Sequence, residues 1–163
     1  MCVLAAPPSA AAAAASSAAG TVTFLQGPDG RVTVRVRARG VAPGPHGFHI
    51  HALGDLTQGC VSAGGHFNPA SAEHGGPADA VRHAGDLGNV EADKDGIIDA
   101  TIVDAGISLL PGAPTCVVGR SCVLHADADD LGRGGHADSK TTGHAGARIA
   151  CGVIGLAADV EVA

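Results

Sequence analysis

Residues 31–39 alternate without a break: Val32, Val34, Val36 and Ala38 take one parity, and Arg31, Thr33, Arg35, Arg37 and Arg39 the other. Residues two apart on a strand point to the same face, so this stretch predicts a strand with one dry and one wet side. The same period runs through most of the chain. Strands are expected at 21–26, 31–39, 46–52, 83–92, 97–103, 116–124 and 148–154, with Cys2-Val3-Leu4 as a short first strand. Gly27-Pro28-Asp29-Gly30 and Asp93-Lys94-Asp95-Gly96 read as turns, the second closing a hairpin with glycine where positive φ is needed. With 25 glycines, 9 prolines and no Trp or Tyr, short strands joined by many turns are what the composition allows. The expected fold is all-β: an eight-stranded Greek-key barrel or immunoglobulin-like sandwich.

Two long connections interrupt this pattern, from Leu53 to about Arg82 and from Ala126 to Ala147. Loops of that length inside a compact domain are usually functional or disordered. Residues 5–20 are low in complexity and read as a surface insertion of weak order, with Ser9 a candidate cap for a short alanine helix closed by Gly20. The expected organisation is a first strand and insertion over 1–20 and one domain over 21–163. A net charge of −6 argues against a nucleic-acid or anionic-membrane partner. No stretch reaches the roughly 20 apolar residues that span a bilayer.

Nine histidines are present, and six of them form a set with one aspartate: His49, His51, His66, His74, His83, Asp86 and His125. His49 and His51 share a strand face and converge, an arrangement that suits copper or zinc. His66 and His74 lie in the first long loop, which supports a functional loop. Four ligands for tetrahedral zinc are at hand in His66, His74, His83 and Asp86. Four nitrogens for copper are at hand in His49, His51, His66 and His125. Two four-coordinate sites sharing His66 would use all seven residues. Any one histidine is more simply a hydrogen-bonded or surface residue, and His46, His136 and His144 fit that description. His46 has the opposite strand parity to His49 and His51. Five cysteines, an odd number with no C-x-x-C pair, favour mostly reduced thiols.

The segments Gly47-Phe48-His49-Ile50-His51, Gly64-Gly65-His66-Phe67-Asn68-Pro69, Arg82-His83-Ala84-Gly85-Asp86-Leu87-Gly88-Asn89-Val90 and Gly143-His144-Ala145-Gly146-Ala147-Arg148 resemble copper/zinc superoxide dismutase over about 21–157. The resemblance implies a reaction in which two superoxide anions and two protons become O2 and hydrogen peroxide. Copper would cycle and zinc would be structural, one of each per subunit. It assigns copper to His49, His51, His66 and His125, and zinc to His66, His74, His83 and Asp86. His66 would bridge the metals and carry a proton. Asp129 would link His49 to His74, and Arg148 would hold the anion. Cys60 and Cys151 align with the family's intrasubunit disulfide, leaving Cys2, Cys116 and Cys122 free.

Arg133 and Lys140 are candidates, with Arg148, for a positive funnel in a chain of net negative charge. Ser139-Lys140-Thr141-Thr142-Gly143 is closer to plant-type members, with Thr141 where animal members carry a steering lysine. The family also implies a homodimer through Leu53, Gly54, Val118, Gly119, Ile154 and Leu156, and a copper chaperone as loading partner. A copper-binding chaperone domain without turnover is the alternative activity. The chain as given has no basic N-terminal extension, which favours the cytosol, with the chloroplast as the alternative.

Overall fold

The computed structural model describes residues 1–7 and 17–158. Among these residues nine strands form: β1 Cys2–Ala5, β2 Ala19–Gln26, β3 Val32–Arg39, β4 Gly44–His51, β5 Thr57–Cys60, β6 Asp86–Ala92, β7 Ile97–Asp104, β8 Ser121–His125 and β9 Arg148–Val153. All except β5 belong to one antiparallel sheet in the order β6-β4-β8-β9-β1-β2-β3-β7. The end strands β6 and β7 are consecutive in the chain, so the sheet curls into a nearly closed barrel. The expected eight-stranded Greek-key architecture is present.

The alternation in β3 does what its pattern requires. Val32, Val34 and Val36 are fully buried and Ala38 nearly so, while the arginines face out. These valines pack with Leu4, Val22, Phe48, Ile50, Ile98, Leu124 and Ile154 in one core. On β4, Phe48 and Ile50 take the core side. His49 and His51 take the other side, yet both are buried too, at 0% and 1% exposure. A strand with both faces dry needs something over its outer face, and the two long connections provide it.

Several elements differ from the sequence reading. The turn at 93–96 forms, with the Asp93 N–H donating to Ile97 O at 2.9 Å. Among the described residues, however, β6 and β7 share no ladder: β6 pairs with β4 and β7 with β3 along its whole length. The turn is therefore a crossover between the two halves of the barrel. The strand expected at 116–124 begins only at Ser121, because 117–120 closes a turn in which Gly119 has φ 85°. The strand expected from 83 begins at Asp86, since His83–Asp86 is itself a turn. Ala19 and Gly20 pair with Ala5 and Leu4, so the Ala-rich segment is the connection of a β1–β2 hairpin. Ser9 and its expected helix lie outside the described residues. Among the described residues the long connections carry three short elements that periodicity did not reveal: β5, a 3-10 turn at Val61–Ala63 and the helix α1, Ser139–Thr142.

Close backbone contact between β9 and β1 depends on Gly152. A Cβ there would lie 2.0 Å from Val3 O and 2.7 Å from Cys2 Sγ. Gly152→Ala should destabilise the protein by about 1–3 kcal/mol, the usual range for overpacking. Gly155→Ala, where nothing lies within 4 Å, should be close to neutral. Urea midpoints of the two variants check this.

Candidate metal centre

The outer side of β4 meets His66 from the first long connection and His125 at the end of β8. Ligand-capable atoms of His49, His51, His66 and His125 all lie within 4.8 Å of one another, and all four residues are buried. Each ring has one nitrogen tied down and one aimed inward. His49 Nε2–H donates to Asp129 Oδ2 at 2.8 Å, His51 Nδ1–H to Gly64 O at 2.8 Å and His125 Nδ1–H to Gly146 O at 3.3 Å. His49 Nδ1, His51 Nε2, His66 Nε2 and His125 Nε2 are buried without any hydrogen-bond partner. Four orphaned, convergent imidazole lone pairs are costly unless a cation receives them. The donor set fits a nitrogen-loving metal such as copper.

A second group lies on the far side of the His66 ring. Asp86 Oδ1 lies 2.8 Å from His66 Nδ1, 3.0 Å from His74 Nδ1 and 3.1 Å from His83 Nδ1. His74 Nδ1 has no aligned hydrogen bond in spite of that distance. Four donors on an ion at about 2.0–2.1 Å in a tetrahedron sit a little over 3 Å apart, close to the 2.8–3.4 Å separations found among these atoms. Three nitrogens and one oxygen fit zinc.

Asp129 couples the groups. Its Oδ2 accepts from His49 and its Oδ1 from His74 Nε2–H, at 2.8 Å each. A carboxylate that takes the outer N–H of an imidazole fixes which nitrogen keeps its lone pair. Asp129 is itself held by Asn89, which donates to Asp129 O at 2.9 Å and accepts from Asp129 N–H at 2.7 Å. Sequence reasoning gave Asn89 no role, although it lies inside a quoted motif. Arg82 was also missed: it donates to Asp86 O at 2.7 Å and pairs with Asp104. So was Arg120, stacked over Phe67 and donating to Ala52 O. His46 stays out of both groups. Its ring nitrogens lie 2.8 Å from His125 O and 2.7 Å from Ala42 O, which makes it a strut under His125. His136 and His144 stack on each other at 3.7 Å, exposed and apart from the cluster.

Arg148, at the start of β9, donates through Nη1 to Cys60 O at 2.7 Å. Cys60 and Cys151 form the expected disulfide, with Cα atoms 5.6 Å apart, so the loop that holds Arg148 is pinned to the strand that carries it. The guanidinium lies close enough to His51 and His125 to disfavour their protonation. Arg133 and Lys140 are less free than a funnel requires: Arg133 pairs with Asp79 at 2.6 Å, and Lys140 lies 3.8 Å from Glu73.

A nearly closed β-barrel carrying two buried donor groups that share one imidazole defines a protein built around a candidate two-metal centre. The sequence matches the copper/zinc superoxide dismutase (SODC) family over residues 18–154, and the chain belongs to that family.

Burial sets the protonation of the group. It holds His51 well below the usual range, His66 down to about 4 and His125 down to about 2. Burial also opposes charge on His74, but its hydrogen bond to Asp129 and the nearby Asp86 carboxylate outweigh it and raise the group to about 9. Asp86 and Asp129 are depressed, as hydrogen bonds from the surrounding histidines overcome their burial. The signs fix the pH dependence of the metal-free protein. Between roughly pH 6.5 and 4 the unfolded chain binds more protons at His51, His66 and His125, so stability falls as the pH is lowered through this range. Below about pH 4 the two carboxylates add to the loss. His74 acts oppositely, and its contribution fades from about pH 6.5 to 9. Urea midpoints of metal-free protein should therefore peak near pH 6.5–7 and drop steeply towards pH 4.5; a flat profile over that acid range would contradict the assignment.

Proposed function

We propose that the protein is a superoxide dismutase, converting two superoxide anions and two protons to O2 and hydrogen peroxide. One observation carries this reading: the His66 ring turns one nitrogen to each of two buried donor groups. Copper would be held by His49 Nδ1, His51 Nε2, His66 Nε2 and His125 Nε2. Zinc would be held by His66 Nδ1, His74 Nδ1, His83 Nδ1 and Asp86 Oδ1. Bound copper supplies one-electron redox chemistry, and zinc, which has none, supplies fixed charge.

The remaining tasks fall to the chain. Asp129 keeps the His49 and His74 lone pairs turned inward by holding both Nε2–H groups. His66 Nε2 has no protein partner, so when unligated it is the atom that can hold a proton for transfer to the reduced substrate. Arg148 is the anion-docking group, since its planar fork suits a small oxyanion and the disulfide-anchored loop holds it beside His51 and His125. Because Arg133 and Lys140 are paired with acidic side chains, most of the local pull on the substrate is assigned to Arg148. A homodimer belongs to the same reading, supported by Leu53 at 53% and Leu156 at 91% exposure. Ile154 is buried and serves the core instead.

The reading is tested by loading the protein with copper and zinc and following superoxide loss together with peroxide formation. A fully loaded protein without turnover would leave only a copper-binding domain. Two variants test the residue roles. His66→Ala should lower both copper and zinc occupancy and change the visible copper spectrum, whereas His74→Ala should chiefly lower zinc; elemental analysis and absorption check both. Arg148→Ala should keep its metals and slow turnover by about 10-fold, the low end of what a focused local field contributes. It should also flatten the salt dependence, because the wild-type pull is screened over ~8 Å at physiological ionic strength. Equal rates at low salt would remove the docking role.

A further inference from the structure

The ten basic side chains of this acidic protein are unevenly employed. Arg82, Lys94, Arg133 and Lys140 each face a carboxylate. Arg120 is stacked on Phe67, and Arg148 is bound to the carbonyl of Cys60. Of the other four, Arg35, Arg37 and Arg39 follow one another at two-residue spacing along the outer side of β3, and Arg31 shares their parity just before the strand, with Thr33 between it and Arg35. Among the described residues Asp99 is set between them, 3.4 Å from Arg35 and 3.7 Å from Arg37. At the margins, Asp29 accepts from the Arg31 backbone N–H, and Asp95 is paired with Lys94. The strand register fills the rest of this face. Thr21 and Asp99 flank Arg37, Thr23 and Thr101 flank Arg35, Leu25 and Val103 flank Thr33, and Ala19 and Ile97 flank Arg39. Leu25, Val103 and Ile97 are about half exposed, at 55%, 49% and 49%. A shallow cavity of about 440 Å³ opens between Thr21, Arg37, Arg39, Ile97 and Asp99.

We propose that the outer face of β2, β3 and β7 docks peripherally on an anionic lipid surface. Guanidinium groups bind phosphate and carboxylate headgroups through paired N–H donors. Aliphatic side chains at both ends of the same face gain by entering the headgroup boundary. A soluble polyanion would satisfy the arginines and leave the aliphatic residues in water. Single-stranded nucleic acid is disfavoured further, because the face offers no aromatic ring on which to stack a base. The net charge of −6 does not forbid the contact. Charges on the far side of the barrel lie beyond the screening length of ~8 Å, so a membrane responds mainly to the face presented to it. The remaining acidic surface then makes the contact orientation-specific. None of the metal-ligand candidates lies on β2, β3 or β7, so docking leaves the metal centre's strands clear.

The test uses protein loaded with both metals and vesicles of phosphatidylcholine, with or without phosphatidylserine, in sedimentation assays across a salt series. Binding is expected only with phosphatidylserine and should weaken as salt rises. Arg31→Gln/Arg39→Gln, which breaks no ion pair among the described residues, should weaken it roughly 10- to 30-fold while superoxide turnover and thermal midpoint stay unchanged. Leu25→Ser/Val103→Ser should lower the binding that persists at higher salt. Absence of vesicle binding at low salt would overturn the proposal. So would binding to heparin or duplex DNA that is tighter than to vesicles and indifferent to the Leu25/Val103 change, since the partner would then be a soluble polyanion.

Discussion

Six imidazoles and two carboxylates, from His49, His51, His66, His74, His83, His125, Asp86 and Asp129, are buried together, and their chemistry governs how the rest of the molecule is built. Neutral imidazole needs a partner on each nitrogen. In this cluster the outward nitrogens of His49, His51, His74 and His125 find carboxylate or carbonyl oxygens, while five inward nitrogens find nothing in the protein. Unmet polar groups at such depth cost on the order of 1–3 kcal/mol each. Bound cations would compensate such a cluster, and binding to the folded state alone would then become folding stability.

Holding lone pairs in convergence demands rigid supports, and these come from distant parts of the chain. Asp129 arrives from the second long connection and is fixed by Asn89 on β6. The first connection is pinned by the Cys60–Cys151 disulfide and by close backbone contact near Gly85, where a Cβ would lie 2.2 Å from Ile50 O. The connections are long because they must travel out from the barrel, cover the outer face of β4 and return. Their cover keeps His49 and His51 dry, and the barrel core beneath fixes the strand on which both residues ride.

Charge is organised by the same economy. Around the metal centre, the cations are taken up by acidic partners or, like Arg120 and Arg148, by carbonyls, so the field there is local. On the outer face of β2, β3 and β7 the pattern reverses: Arg35 and Arg37 share Asp99, and Arg31 and Arg39 lie on the same side. Net charge describes neither face. A single-sign average over a barrel wider than the screening length has little bearing on what approaches one side of it.

Much of the fold was legible because period-two patterning is local. The alternation in β3, the glycine turns and the paired histidines of β4 could be read without knowing any neighbour. The seven donor residues were legible for another reason, since few roles require so many imidazoles at strand ends and in one long loop. Illegible were features set by contacts across the chain: the lack of a β6–β7 ladder, the late start of β8, β5 and α1, and the supports from Asn89, Arg82 and Arg120. Each depends on which strands meet, and periodicity carries no information about that. The sequence by itself determined which residues alternate, which can donate to a metal and where the chain must turn. Only the tertiary structure decided which nitrogen of each ring faces inward, which cations are neutralised and which arginines stay available, because hydrogen-bond and ion-pair partners come from segments far apart in the chain and are selected by packing.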